Sequence, residues 1–190
     1  MAANVSGNIG ASATNVSANI SVPIPPIVVM GVSGCGKSRV GRDLAARLGV
    51  AFLEGDALHP PENVARMAEG IPLTDADRQG WLQAIARALA EASGRGAGIV
   101  VSCSALRRPY RDLLRAAAPA TRFVHLTGPR GLLIDRMAAR EGHFMPVSLL
   151  DSQLATLEPP GAEEQPIIQR IDQSPETIVE GTIVALGISK

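Results

Sequence analysis

The sequence predicts an α/β protein in which five parallel strands are covered by helices on both faces of the sheet. Three observations lead there. Short apolar, β-branched runs alternate with longer stretches of helical spacing from residue 27 onward, and strands joined through helices pair in parallel. The runs Ile27-Val28-Val29-Met30 and Ile99-Val100-Val101 carry no polar side chain, as strands buried on both faces require. Between the first strand and the first helix lies Gly31-Val32-Ser33-Gly34-Cys35-Gly36-Lys37-Ser38, a Gly-x4-Gly-Lys-Ser run whose chemistry needs a strand before it and a helix after it.

In chain order, the strand at 27–30 is followed by a helix from Lys37 to Leu48, with Val40, Leu44 and Leu48 at helical spacing and Gly49 as the stop. Ala51-Phe52-Leu53 is the second strand. It runs into Glu54-Gly55-Asp56 and a polar loop with His59, Pro60 and Pro61. A short helix covers 62–69, and Thr74-Asp75-Ala76-Asp77 resembles a capping box opening a longer helix with Trp81, Leu82, Ile85, Leu89 and Ala92 inward. Gly94 to Gly98 breaks that helix. The third strand is 98–102, followed by a helix carrying Leu106, Tyr110, Leu113 and Leu114. Residues 122–126 form the fourth strand, with His125 in the core, and Pro129 to Arg140 the helix after it. Another helix, Ser148 to Leu157, precedes Pro159-Pro160. The fifth strand is 167–171, and Ser174-Pro175 opens the last helix as N-cap and first-turn proline. In such a sheet ligands bind at the carboxyl ends of the strands.

Composition narrows the function classes. Eighteen basic residues balance eighteen acidic ones, so no global field favours nucleic acid or an anionic membrane. No apolar run reaches the roughly 20 residues a bilayer span needs. Cys35 and Cys103 are too few for a disulfide framework and lack metal-ligand spacing, which reads as free thiols in a reducing cytoplasm. Residues 1–26 are uncharged apart from the terminus, rich in Asn, Ser and Ala, and close on three prolines. They read as a disordered tail preceding one domain, 27–190, and they have neither the basic start nor the apolar stretch of a signal peptide.

The loop supplies backbone N–H groups from Gly31, Ser33, Gly34, Cys35 and Gly36, and a helix N-terminus, for phosphate oxygens. Lys37 neutralises β/γ charge and the Ser38 hydroxyl ligates Mg2+, which implies a nucleoside triphosphate such as ATP. Apart from the C-terminal Lys190, Lys37 is the only lysine, and the chain otherwise makes its positive charge with arginine. A forked guanidinium cannot replace a compact ammonium along the phosphate bridge. Arg39 stands where a small hydroxyl residue often contacts the α-phosphate. Asp56 leaves the second strand beside this site, where a carboxylate can orient a hydroxyl, accept its proton, or hold magnesium through water. The third strand ends in Val101-Ser102-Cys103 with no aspartate, which raises the weight on Asp56. Arg136 and Arg140, four apart on one helix face, lead into Glu141-Gly142-His143-Phe144-Met145-Pro146, a segment suited to a mobile lid. His59 is a candidate partner for a polyol hydroxyl, and His143 lies in the lid.

Five segments together resemble the bacterial-type gluconate kinases, relatives of shikimate and nucleoside monophosphate kinases. They are the 31–38 loop, Glu54-Gly-Asp-Ala-Leu-His-Pro, Gly70-Ile-Pro-Leu-Thr-Asp-Ala-Asp-Arg-Gln-Gly-Trp-Leu, Ser102-Cys-Ser-Ala-Leu-Arg-Arg-Pro-Tyr-Arg-Asp, and Arg140-Glu-Gly-His-Phe-Met with Leu149-Leu-Asp-Ser-Gln. The resemblance implies a three-layer P-loop kinase fold with a mobile lid. It also implies ATP-dependent phosphorylation of D-gluconate at its 6-hydroxyl, usually by a homodimer. On this resemblance Lys37, Asp56 and Arg140 are catalytic, and Arg136 lies near adenine while Arg140 reaches phosphates. Asp56, His59, Arg78, Arg107 and His143 meet the sugar acid, and Ser38 and Asp56 serve the metal. Arg66 and Arg107 stand where the family usually has lysine. Another small sugar acid or polyol as acceptor, or a non-catalytic nucleotide-binding protein, are the alternatives.

Overall fold

A computed structural model describes residues 23–139 and 147–188. The strands β1 (Ile27–Met30), β2 (Ala51–Glu54), β3 (Ile99–Ser102), β4 (Arg122–Thr127) and β5 (Ile167–Arg170) form one sheet in the order β2-β3-β1-β4-β5. Every pairing is parallel. The helices are α1 (Lys37–Leu48), α2 (Pro61–Ala68), α3 (Asp75–Gly94), α4 (Arg108–Ala117), α5 (Arg130–Ala138), α6 (Val147–Thr156) and α7 (Pro175–Ala185).

The central strand shows why the sheet is covered twice. Successive side chains of a strand point to opposite faces. Accordingly Ile27 and Val29 join one core with Val40 and Leu44 of α1, Leu133 of α5, Leu150 of α6 and Ile178 of α7. Val28 and Met30 join the other, with Trp81, Leu82 and Ile85 of α3 and Tyr110 and Leu114 of α4. His125 is buried in β4, as its mid-strand position implies, and burial lowers its pKa so that the ring stays neutral.

Local signals place the boundaries. Gly49 closes α1 in the left-handed conformation at φ 68°, and the Thr74 capping box is formed on both sides. Ser174 accepts the Thr177 N–H at 3.2 Å to open α7. Several expectations shift, most of them by a residue or two at an element's end. The helix read as 62–69 starts at Pro61, because proline fits the first helical turn. Leu106 precedes α4 and is buried in the core that also contains α1. Two short 3-10 turns, Gly55–Leu58 and Ala162–Glu164, had no periodic signal. Upstream of residue 27, Ile24 packs against the first core and the Pro26 carbonyl accepts the Arg122 N–H at 2.9 Å. Residues 1–22 of the segment 1–26 read as the tail, and 140–146, the lid segment with Arg140 and His143, lie outside the described residues.

Candidate functional site

The 31–38 loop joins β1 to α1, and its glycines meet steric demands. Gly34 has φ 80°, and a Cβ there would lie 2.8 Å from the Leu133 carbonyl oxygen, so only glycine fits. The Lys37 ammonium arches back over the loop and donates to the Val32 carbonyl at 3.1 Å. Ser38 follows it in the first turn of α1.

On one side of the loop a pocket is lined by Gly34, Cys35, Gly36, Arg39, Arg136 and the start of α7 at Pro175. Arg136 comes from α5 and its Nη2 donates to the Ile171 carbonyl at 2.5 Å, fixing the guanidinium at the pocket wall. Arg39 is exposed and paired with Asp43 at 2.6 Å and Glu176 at 3.7 Å. Its charge is therefore held at the rim by carboxylates of α1 and α7. Burial raises the pKa of the Cys35 thiol and pushes that of Cys103 up to about 12, so both stay protonated and poorly reactive.

On the other side, one pocket gathers Ser33 and Lys37 from the loop, Asp56 and His59 from the turn after β2, Arg78 from α3, and Gln153 from α6. Asp56 is placed by a locked Gly55. The Gly55 N–H donates to Ser102 Oγ at 3.1 Å, and its carbonyl accepts the Trp81 indole N–H at 2.7 Å. A Cβ on Gly55 would fall 2.0 Å from the Ser102 carbonyl oxygen. The strand end that lacks an aspartate is thus occupied by Ser102, whose hydroxyl donates to the Glu54 carboxylate. The Asp56 backbone carbonyl accepts the His59 N–H at 3.3 Å, but its carboxylate makes no hydrogen bond or ion pair among the described residues, which leaves that carboxylate free for a ligand.

His59 stacks on Trp81 at 4.3 Å between ring centroids. Its buried Nδ1 has no hydrogen-bond partner among the described residues. Burial lowers its pKa, Asp56 partly opposes that, and the Arg78 charge adds to it, so the ring is neutral at neutral pH. A neutral nitrogen so placed in a polar pocket can accept from a ligand hydroxyl or a water. Arg78 donates through Nε to the Leu73 carbonyl at 3.4 Å, and among the described residues it pairs with no carboxylate. Most arginines near it are paired: Arg66 with Asp77 at 3.2 Å, and Arg107 with Asp75 and Glu158. Arg107 lies in an adjoining cleft that shares Arg78 with the main pocket, over the Tyr110 ring at 5.8 Å. The Tyr110 hydroxyl and then Arg107 hold the Asp75 pKa below its ordinary value.

Magnesium is the ion the loop chemistry implies, and the donor set fits it. Ser38 Oγ and the Asp56 carboxylate are hard oxygen donors, and no cluster of three His, Cys, Asp or Glu side chains occurs among the described residues. That suits a cation which keeps most of its waters and is held largely by nucleotide phosphates.

Sequence reasoning placed Lys37, Asp56, His59 and Arg78, and the fold brings these four into one pocket. It missed Trp81, Ser102 and Gln153 as parts of the site. Helical spacing identified Trp81 only as core, and the contacts of Ser102 and Gln153 join distant segments with no local signature.

A family model described as an AAA domain matches residues 27–160. A gluconokinase of Gluconobacter oxydans (strain 621H) is 52% identical over 157 residues, covering 83% of this chain and 88% of that protein. The thermoresistant gluconokinase of Escherichia coli (strain K12) is 44% identical over 164 residues, covering 86% of this chain and 94% of that protein. The crystal structure of a gluconokinase from Sinorhizobium meliloti 1021 superposes with a TM-score of 0.80 at 51% identity, over 87% of this chain and 93% of that one.

Proposed function

This chain belongs to the gluconokinase family of P-loop kinases, and from that premise we infer that it transfers the γ-phosphoryl group of ATP to gluconate, giving 6-phosphogluconate and ADP. The observation that carries the reading is the single pocket in which the phosphate-loop Lys37 faces Asp56, His59 and an Arg78 that pairs with no carboxylate among the described residues. A sugar acid needs those partners: a cation for its carboxylate, an acceptor for a hydroxyl, and a carboxylate beside the hydroxyl that reacts.

In the reaction the 6-hydroxyl oxygen bonds to the γ-phosphorus while the bond from that phosphorus to the β,γ-bridging oxygen breaks, its electron pair leaving with ADP. Asp56 orients the hydroxyl and takes its proton. Because phosphoryl transfer is loose and mainly electrostatic, orientation matters more here than basicity. Lys37 leaves the Val32 carbonyl and lies along the β- and γ-phosphates, while Arg136 supports the nucleotide from α5. His59 accepts a substrate hydroxyl, and Arg78 forks onto the carboxylate, with Arg107 at the outer cleft. Ser38 and Asp56 would hold Mg2+, which when bound supplies charge neutralisation across the phosphates. Arg140 and His143, by family resemblance, complete the phosphate and sugar contacts. The resemblance also carries a homodimer in the cytoplasm.

A coupled ADP-release assay with ATP, Mg2+ and a panel of sugar acids and polyols tests this. Gluconate is expected to give the highest kcat/KM, and no ADP release above the substrate-free background would overturn the reading. Arg78→Ala is expected to raise the gluconate KM by about 100-fold while changing the ATP KM little, since a charged hydrogen-bond pair contributes about 1.5–3 kcal/mol. Equal losses for gluconate and for an uncharged polyol would place the carboxylate elsewhere.

A further inference from the structure

Helix α6 links the two halves of this site through one side chain. Leu149, Ser152, Gln153 and Thr156 fall at i, i+3, i+4 and i+7, and all four line the pocket that holds Asp56 and Lys37. From that face Gln153 Oε1 accepts the backbone N–H of Ser33 at 2.7 Å, a contact between residues 120 apart in sequence. The location of Ser33 matters. It lines the acceptor pocket with Lys37, whereas Gly34, Cys35 and Gly36 line the nucleotide pocket. Gln153 therefore meets the loop on the side from which the γ-phosphoryl group departs.

The hydrogen bond also orients the carboxamide. Only its oxygen can accept an N–H, so the Nε2 group with its two donors is turned away from the loop backbone. Among the described residues Nε2 donates to nothing. Building on the kinase reading above, we propose that Gln153 contacts the phosphoryl group in transit: held through Oε1 by the Ser33 N–H, it donates from Nε2 to a γ-phosphate oxygen. A neutral donor suits that place. It stabilises charge moving from ATP to the acceptor and does not compete with Asp56 for the hydroxyl proton.

Gln153→Met keeps the length of the side chain and removes both hydrogen bonds, while Gln153→Glu keeps the acceptor for Ser33 and sets a carboxylate against the phosphoryl group. The Met variant is expected to lose about 100- to 1,000-fold in kcat with gluconate KM within about threefold, and the Glu variant to lose more than the Met variant. Calorimetry on the full chain supplies a second readout: both variants weaken AMPPNP binding while ADP, which lacks the γ-phosphate, binds as to wild type. Equal effects on AMPPNP and ADP, or none on either with kcat intact, overturn the contact. If wild type binds AMPPNP in this Gln153-dependent way yet does not turn over gluconate, the substrate reading falls and the γ-phosphate contact stands.

Discussion

Lys37→Ala is expected to lower kcat/KM for ATP-dependent gluconate phosphorylation by about 1,000-fold or more, since one preorganised charge-stabilising donor accounts for about 100- to 1,000-fold and here the donor is also a full cation. The fold should not register the change. Lys37 begins α1, is half-buried, and its side chain's one described bond is to the Val32 carbonyl, so thermal unfolding is expected within about 2 °C of wild type, as for substitutions that touch no core. Lys37→Arg makes the sharper comparison. The chain uses arginine for every other internal positive charge, so retained activity in this variant would show that charge alone suffices. The expected result is an enzyme nearly as slow as the alanine variant, because a planar fork cannot take the place of an ammonium that folds over the loop. Near-wild-type kcat for either variant contradicts the assignment.

The loop was legible because phosphate chemistry sets its Gly-x4-Gly-Lys-Ser spacing, with lysine where a compact charge must lie, while Gly34 is fixed by packing, since a Cβ there would strike the Leu133 carbonyl. Strands were legible for a related reason. A strand buried on both faces must be apolar along its length, and Ile27–Met30 and Ile99–Ser102 are buried at every position. Asp56 was legible from its place at a strand end beside the loop, whereas Arg78 required a resemblance, since a helix arginine has no distinctive spacing of its own. What could not be read were contacts between segments far apart. Periodicity marks Trp81 as inward but says nothing of its N–H reaching the Gly55 carbonyl, the bond that helps to set Asp56. The same holds for Gln153 on Ser33. Arg111 is the extreme case, a charged residue amid a helix of charged residues that is 1% exposed.

Glu164→Gln is expected to destabilise the protein by about 3 kcal/mol at neutral pH, the lower end of what removing one partner of a buried ion pair costs. In a domain of this size that is a fall in Tm of about 6–12 °C. The reason lies in what Glu164 neutralises. Arg111 donates to it from Nε at 2.7 Å and from Nη2 at 2.8 Å, and Arg115 adds a bond at 2.9 Å, with the Arg111 and Glu164 side chains 1% and 3% exposed. A glutamine leaves the Arg111 charge buried without a counter-charge. The pH dependence gives the sign. Hydrogen bonds from Arg111, then from Arg115, hold the Glu164 pKa down to about 2 from an ordinary 4.5. A carboxyl depressed in the folded state contributes stability that is complete above the unfolded value and lost as pH falls toward the folded one. The Tm gap between wild type and Glu164→Gln should therefore be constant from pH 7 to about 5 and narrow as pH falls from 4.5 toward 2; a gap that stays constant through that window would mean that the carboxylate charge is not what stabilises the triad. Activity should follow as well. The Arg111 guanidinium also donates to the Ala105 and Leu106 carbonyls at 3.1 and 3.3 Å, and Ala105 sits at φ 42° in the loop whose neighbour Ser104 lines the acceptor pocket and takes the Gly31 N–H at 3.3 Å. A residue placed in the left-handed region holds only where its surroundings over-determine it. With Arg111 released, that loop loses a restraint, so the gluconate KM should rise in the Gln variant at temperatures well below its Tm.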